Sequence, residues 1–211
     1  MGKIMYSRMY EPSQRTARAK KAMTRQSIAD ITLRLTLDKG LSYVTIDEIG
    51  REAFVSPRTV TNYFSHKEEA IAAAGRLSTI EIVDQLLEQP EGEDPLHSLS
   101  RVMIDLVNTL TADDLRIHRQ KLKLAEVHPA VKSFLAASYQ ELEERLAAAI
   151  ASRTGTDAGA DIYPRLLAAA AVDALRLSLE LWATSDSGLT LAETIQTAFS
   201  MMQDGFPALA R

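Results

Sequence analysis

Between Thr45 and Glu68 the chain carries three helix starts in immediate succession, and this crowding constrains the fold more than any other feature. Thr45-Ile46-Asp47-Glu48 reads as a capping box: a hydroxyl for an orphan N–H of the first turn and a carboxylate three residues on. Val44 and Ile49 flank it as a hydrophobic staple. Ser56-Pro57 sets a capping hydroxyl before a proline, whose missing N–H costs nothing at the first helical position. Val55 and Val60 staple that start as well. Ser65-His66-Lys67-Glu68 repeats the capping-box pattern. Only Ala53, Phe54 and Val55 lie between a helix over 45–52 and the Ser56 cap of one over 57–63, which is helix-turn-helix geometry.

The remainder of the chain has helical periodicity almost throughout. Gly and Pro number only 9 and 7, and β-branched alternation is rare, so the fold class is all-α. A helix from about Thr16 to Lys39 stops at Gly40. Further helices are expected over 67–89, 95–111, 113–126, 129–153, 161–184 and 189–204. This organisation predicts a flexible tail over 1–14, a helix-turn-helix domain over 15–76 and a helical ligand-binding and dimerisation domain over 77–211.

Charge divides along the same line. The net charge of −4 speaks against a nucleic-acid partner only as an average. Residues 1–76 hold 13 Lys+Arg against 8 Asp+Glu, a net of +5, whereas residues 77–211 hold 11 against 20, a net of −9. Arg15, Arg18, Lys20, Lys21 and Arg25 form a run with no acid between them. A basic head on an acidic body implies two tasks in one chain.

Several classes are excluded. Without cysteine there is no disulfide, thiolate metal site or thiol nucleophile. No apolar run approaches the roughly 18 residues of a membrane helix; the nearest, Leu166 to Trp182, is broken by Asp173, Arg176 and Glu180. No apolar stretch follows the basic N-terminal residues, so no secretory signal is read and a cytoplasmic location is expected. No phosphate-binding glycine loop is present, and the histidines at 66, 97, 118 and 128 show no metal-ligand spacing. Asp113 and Asp114 open a helix, where acids favour the dipole. No cofactor and no catalytic residue is expected.

The helix over 161–184 is apolar on two sides. Leu166, Ala170, Ala174, Leu177 and Leu181 form one stripe; Ala168, Val172, Leu175, Leu179 and Trp182 form another. A helix apolar on two sides is buried on two sides. One side meets its own core; the other meets either that same core or a second subunit, in which case Leu191, Ile195, Phe199 and Met202 of the last helix would join it in a four-helix homodimer interface.

Ile28 through Ile71 resembles the N-terminal DNA-binding domain of TetR/AcrR-type transcriptional regulators. The match is carried by Ile28, Leu33, Leu35, Gly40, Thr45, Ile46, Ile49, Ala53, Val55, Ser56, Thr59, Tyr63, Phe64, Lys67 and Glu68. Beyond them, the chain is similar to the family in length and helicity. It departs at Phe54, where the family usually has Gly in the turn, at Gly50, where Ala is usual, and at Thr32 and Thr36, where Ala and Phe are common. These departures bear on affinity and sequence preference more than on the fold.

The resemblance implies a ligand-responsive regulator, most often a repressor, that binds a palindromic double-stranded DNA operator as a dimer and is released by a small effector. The second helix of the motif would lie in the major groove, presenting Ser56, Pro57, Arg58, Thr59, Thr61 and Asn62. Arg58 suits guanine O6 and N7 or a phosphate, and Asn62 suits adenine N6 and N7. Thr45, Tyr63 and Lys67 would contact the phosphate backbone, with Arg25 and the basic run as an arm. An apolar or amphipathic effector would lie among Met103, Leu106, Leu110, His118, Phe134, Tyr139 and Trp182. The alternative is a helical ligand-binding or adaptor protein of the same fold that no longer reads specific DNA.

Overall fold

The computed structural model describes residues 7–75, 79–184 and 188–206, with the backbone alone described at 7–16, 18, 79 and 80. The chain divides into two compact units, Met1–Gly75 and Arg76–Arg211. Every regular element among the described residues is helical.

The first unit contains α1 (Ser7–Lys39), a one-turn 3-10 helix (Leu41–Tyr43), α2 (Ile46–Glu52), α3 (Pro57–Tyr63) and α4 (Lys67–Ala72). Helix α1 begins at Ser7 rather than near Thr16, so the stretch read as a flexible tail is helical from residue 7; residues 1–6 lie outside the described residues. Ile28, Leu33, Val44, Ile49, Val60, Phe64 and Ile71 form the small core. Two hydroxyls enter it at no polar cost: Thr32 donates to the Ile28 carbonyl at 2.7 Å and Thr36 to the Thr32 carbonyl at 2.8 Å.

The helix expected over 67–89 is two helices. Helix α4 ends at Ala72, and α5 (Thr79–Leu87) opens the second unit. The break falls at Gly75, whose φ of 93° ordinary residues avoid. The ladder tightens before it, with Ala74 donating to Ile71 at 3.1 Å, and Gly75 donates instead to the Asp30 carboxylate at 2.9 Å. Periodicity could not reveal this, because an acceptor on α1 takes the N–H that would have continued the helix.

The second unit continues with α6 (Pro95–Asn108), α7 (Ala112–Val127), α8 (Pro129–Thr154), α9 (Ile162–Thr184) and α10 (Leu191–Gln203). Thr111 with Asp114 and Thr190 with Glu193 form complete capping boxes at the starts of α7 and α10. Arg153 ties α8 to the end of α5 by donating to the carbonyls of Leu86 at 3.1 Å and Gln89 at 2.8 Å. These are among the carbonyls that a helix C-terminus leaves unpaired.

Helix α9 shows its two apolar stripes differently. Ala168, Val172, Leu175 and Leu179 are buried against α6, α8 and α10. Leu166, Leu177 and Leu181 are more than half exposed, and Ala170 is half-buried. On α10 the expectation needs correction. Ile195 and Phe199 are fully buried in the unit's own core and offer no surface to a partner, and Met202 packs partly against the same core. The apolar face of α10 is consumed by α6 and α9. Among the described residues no helix is long and apolar enough to cross a membrane.

Candidate nucleic-acid interface

The α2–α3 turn is a Schellman closure. Val55 donates to the Gly50 carbonyl at 2.9 Å and Phe54 to the Arg51 carbonyl at 3.3 Å, the two reversed bonds that define this helix end. The residue in the left-handed position is Phe54, with φ of 54°, and its ring is 96% exposed. A β-carbon on Gly50 would come within 2.9 Å of the Val55 carbonyl oxygen and 3.2 Å of the Pro57 nitrogen. Glycine at 50 therefore allows the chain leaving the turn to cross directly over α2.

That crossing sets the start of α3. Ser56 caps it, accepting from the Thr59 N–H at 3.0 Å, and the Ser56 and Thr59 hydroxyls lie 2.8 Å apart. Both side chains are thus engaged in forming the helix end. Val60 and Phe64 face the core. Pro57, Arg58, Thr61 and Asn62 are exposed and share one face by their spacing, and the Thr61 hydroxyl donates to the Arg58 carbonyl at 3.1 Å. Tyr63 is half-buried beside them.

The residues expected at the phosphate backbone divide. Thr45 is exposed at the N-terminus of α2 and accepts from the Glu48 N–H at 3.3 Å. Glu48 is hydrogen-bonded by Lys39, and that bond is the main reason its carboxyl lies below its ordinary range. Arg25 stacks its guanidinium over the Phe64 ring, 4.6 Å from the centroid, which fixes the direction of its charge. Lys67 turns inward: its ammonium donates to the Leu41 carbonyl at 2.9 Å and the Val44 carbonyl at 2.6 Å. It ties α4 to the segment that leads into α2. The third cap is displaced by one residue. His66 is the N-cap of α4 with no capping bond from its side chain, and the Ser65 N–H donates to the Glu69 carboxylate at 2.8 Å.

In the second unit one apolar cluster gathers Met103, Leu106, Leu110, Tyr139 and Trp182; Phe134 is partly buried on α8 and stands outside it. His118 is 3% exposed, and its Nε2 has no hydrogen-bond partner; the buried Ser178 hydroxyl has none either. Burial, reinforced by the charge of Lys121 one turn on, holds the imidazole well below its ordinary value, so it is neutral at physiological pH. Burial and the nearby Glu180 push the Tyr139 hydroxyl up to about 12, so it keeps its proton. Arg119 covers the Trp182 ring at 4.5 Å and donates to the Trp182 carbonyl at 3.3 Å. Sequence reasoning missed Ser178 and the buried Lys121. Their signals were a hydroxyl between Leu175 and Leu179 in an apolar stripe, and a lysine one turn from His118.

A helix-turn-helix unit followed by a helical body defines the architecture of a DNA-binding regulator, and comparison with known proteins places it. Residues 28–74 match the bacterial regulatory proteins of the tetR family, and residues 93–207 match the MftR C-terminal domain. The chain is 30% identical over 192 residues to the HTH-type transcriptional regulator TcmR of Streptomyces glaucescens, spanning 86% of this chain and 81% of that one. FadR of Thermus thermophilus, a TetR-family transcriptional repressor solved with lauroyl-CoA, has a TM-score of 0.52 at 21% identity, covering 89% of this chain and 97% of its own. NalD of Pseudomonas aeruginosa, the secondary repressor of the MexAB-OprM multidrug efflux pump, has a TM-score of 0.52 at 23% identity, covering 88% and 97%. These two likenesses are of fold. The chain belongs to the TetR family of bacterial regulatory proteins, and is a transcriptional regulator rather than an enzyme.

Proposed function

We propose that this chain is a cytoplasmic, ligand-responsive repressor that binds a palindromic operator as a homodimer and leaves it when a small amphipathic effector enters the body. In this reading residues 15–76 are the DNA-binding domain and residues 77–211 the sensing and dimerising domain. The observation that carries it is the exposed face of α3: Pro57, Arg58, Thr61 and Asn62 stand outward while Val60 and Phe64 anchor the helix. Arg58 and Asn62 are one helical turn apart, so one insertion in the major groove presents both to base edges. Ser56 and Thr59 build the helix end, and Thr45 and Arg25 meet phosphates.

The exposed stripe Leu166, Leu177 and Leu181, with Ala170 between them, supports a second copy as the partner of α9. Large apolar side chains on one helix face are uncommon on a monomer's surface. The effector reading rests on His118 and Ser178. A buried polar atom without a partner costs about 1–3 kcal/mol, which a ligand's polar group recovers. The apolar cluster that holds Met103, Leu106, Leu110 and Trp182 suits that ligand's apolar part. The lauroyl-CoA bound by FadR is a molecule of this amphipathic kind.

The test is a mobility shift with a duplex from upstream of the protein's own gene, titrated with salt and then with candidate amphipathic ligands. A specific, salt-sensitive shift that a ligand abolishes is the expected result. A folded dimer that gives no specific shift at low salt would favour the adaptor reading.

A further inference from the structure

The α2–α3 turn contains a residue that the fold does not require. The Schellman closure needs a left-handed backbone at one position, which glycine adopts freely. Phe54 occupies it, with φ of 54°. The ring gains nothing inside the protein, being the most exposed large hydrophobic side chain among the described residues, at 96%. Backbone conformation and solvation both oppose phenylalanine here, so neither explains its presence. Its position suggests an external partner. Two residues later the chain enters α3 through the exposed run Ser56, Pro57 and Arg58. The N-terminal end of a recognition helix is the end that approaches base edges. Phenylalanine is among the side chains that read the thymine methyl by apolar contact. The net charge of +5 over residues 1–76 also favours a polyanionic partner such as DNA.

We propose that Phe54 is a DNA-contacting residue whose ring packs against the C5-methyl group of a thymine at the edge of each half-site, giving a T·A preference at that position. This rests on reading α3 as the recognition helix. Gly50 belongs to the same arrangement, because it brings the turn close over α2 and so sets where the ring emerges.

The experiment compares the full chain with Phe54→Gly and Phe54→Asn, two residues that enter the left-handed region readily. Each is measured on the duplex from upstream of its own gene, and on copies in which thymines are replaced one at a time by deoxyuridine. The ring is unburied, so both variants are expected to keep the wild-type fold, checked by thermal melting. At one thymine in each half-site, loss of the methyl should weaken the wild type by about fourfold, the worth of one buried methylene-sized group, and leave both variants unaffected. Both variants should also bind the unmodified duplex several-fold more weakly. Wild-type affinity in both variants would overturn the proposal, as would deoxyuridine penalties equal in all three proteins. Loss of cooperativity between copies at constant single-site affinity would overturn it in favour of a protein contact. If the wild type binds no part of the duplex, the recognition-helix reading itself fails and this proposal with it.

Discussion

Val55 and Gly50 constrain each other from both sides: the Val55 N–H donates to the Gly50 carbonyl at 2.9 Å, and the Val55 carbonyl oxygen lies 2.9 Å from where a β-carbon on residue 50 would be. Two opposed effects meet at this helix position. Alanine is a better helix former than glycine by about 1 kcal/mol. It would also press a methyl group against backbone that cannot rotate away, and overpacking of this kind costs about 1–3 kcal/mol. The clash should win. Gly50→Ala is expected to lower the unfolding midpoint and weaken DNA binding, since the start of α3 must shift. A variant more stable than the wild type would show that the turn moves freely.

Lys67 is expected to matter for stability more than for salt dependence. Its ammonium joins two part-buried carbonyls, those of Leu41 and Val44. Hydrogen bonds to a charged group contribute about 1.5–3 kcal/mol each in favourable sites. Lys67→Met, which keeps the stem, should lower stability by about 1–3 kcal/mol in denaturant titration while the slope of log affinity against log salt stays unchanged. A slope reduced by about one would show that Lys67 also neutralises a phosphate.

His118 gives the second unit a pH dependence of definite sign. The buried imidazole is held well below the 6.5 of an exposed histidine, first by desolvation and then by Lys121. Below about pH 6.5 the unfolded chain takes up a proton that the folded chain refuses, so stability is full above that pH and is lost as pH falls towards the folded value. Glu48, Glu93 and Glu193 have the same sign but begin from 4.5, so they act at lower pH. His118→Gln is expected to flatten the stability profile between about pH 6.5 and 5 in chemical denaturation. An unchanged profile would mean that another group carries the slope.

The exposed stripe of α9 is tested by charge. Leu177 and Leu181 are 53% and 55% exposed, so replacing both with Glu leaves the core of a single chain intact. Leu177→Glu with Leu181→Glu should yield a folded monomer by sedimentation where the wild type is expected to sediment as a dimer, because a carboxylate buried without a partner is strongly disfavoured. DNA affinity should fall with it. A double variant that remains dimeric would place the interface elsewhere.

Local chemistry made much of this protein legible in the sequence alone. The capping residues Thr45 and Ser56, the proline at 57 and the three-residue turn act within a few residues, so they read directly as α2 and α3. The double apolar stripe of α9 was equally plain, because periodicity reports which faces avoid water. It does not report what covers them. Ile195 and Phe199 could have faced a partner by pattern, and only packing against α6 and α9 placed them inside. The break after Ala72 depends on a carboxylate of α1, and the direction of Lys67 on carbonyls more than twenty residues away in sequence. Phe54 stands between the two. Sequence identifies a bulky residue at a turn, but only the folded backbone shows that it adopts the left-handed conformation and leaves its ring in water. Helix type, caps and charge division arise from neighbours along the chain. Which polar groups are satisfied, and which apolar faces remain open, is decided by contacts between elements distant in sequence.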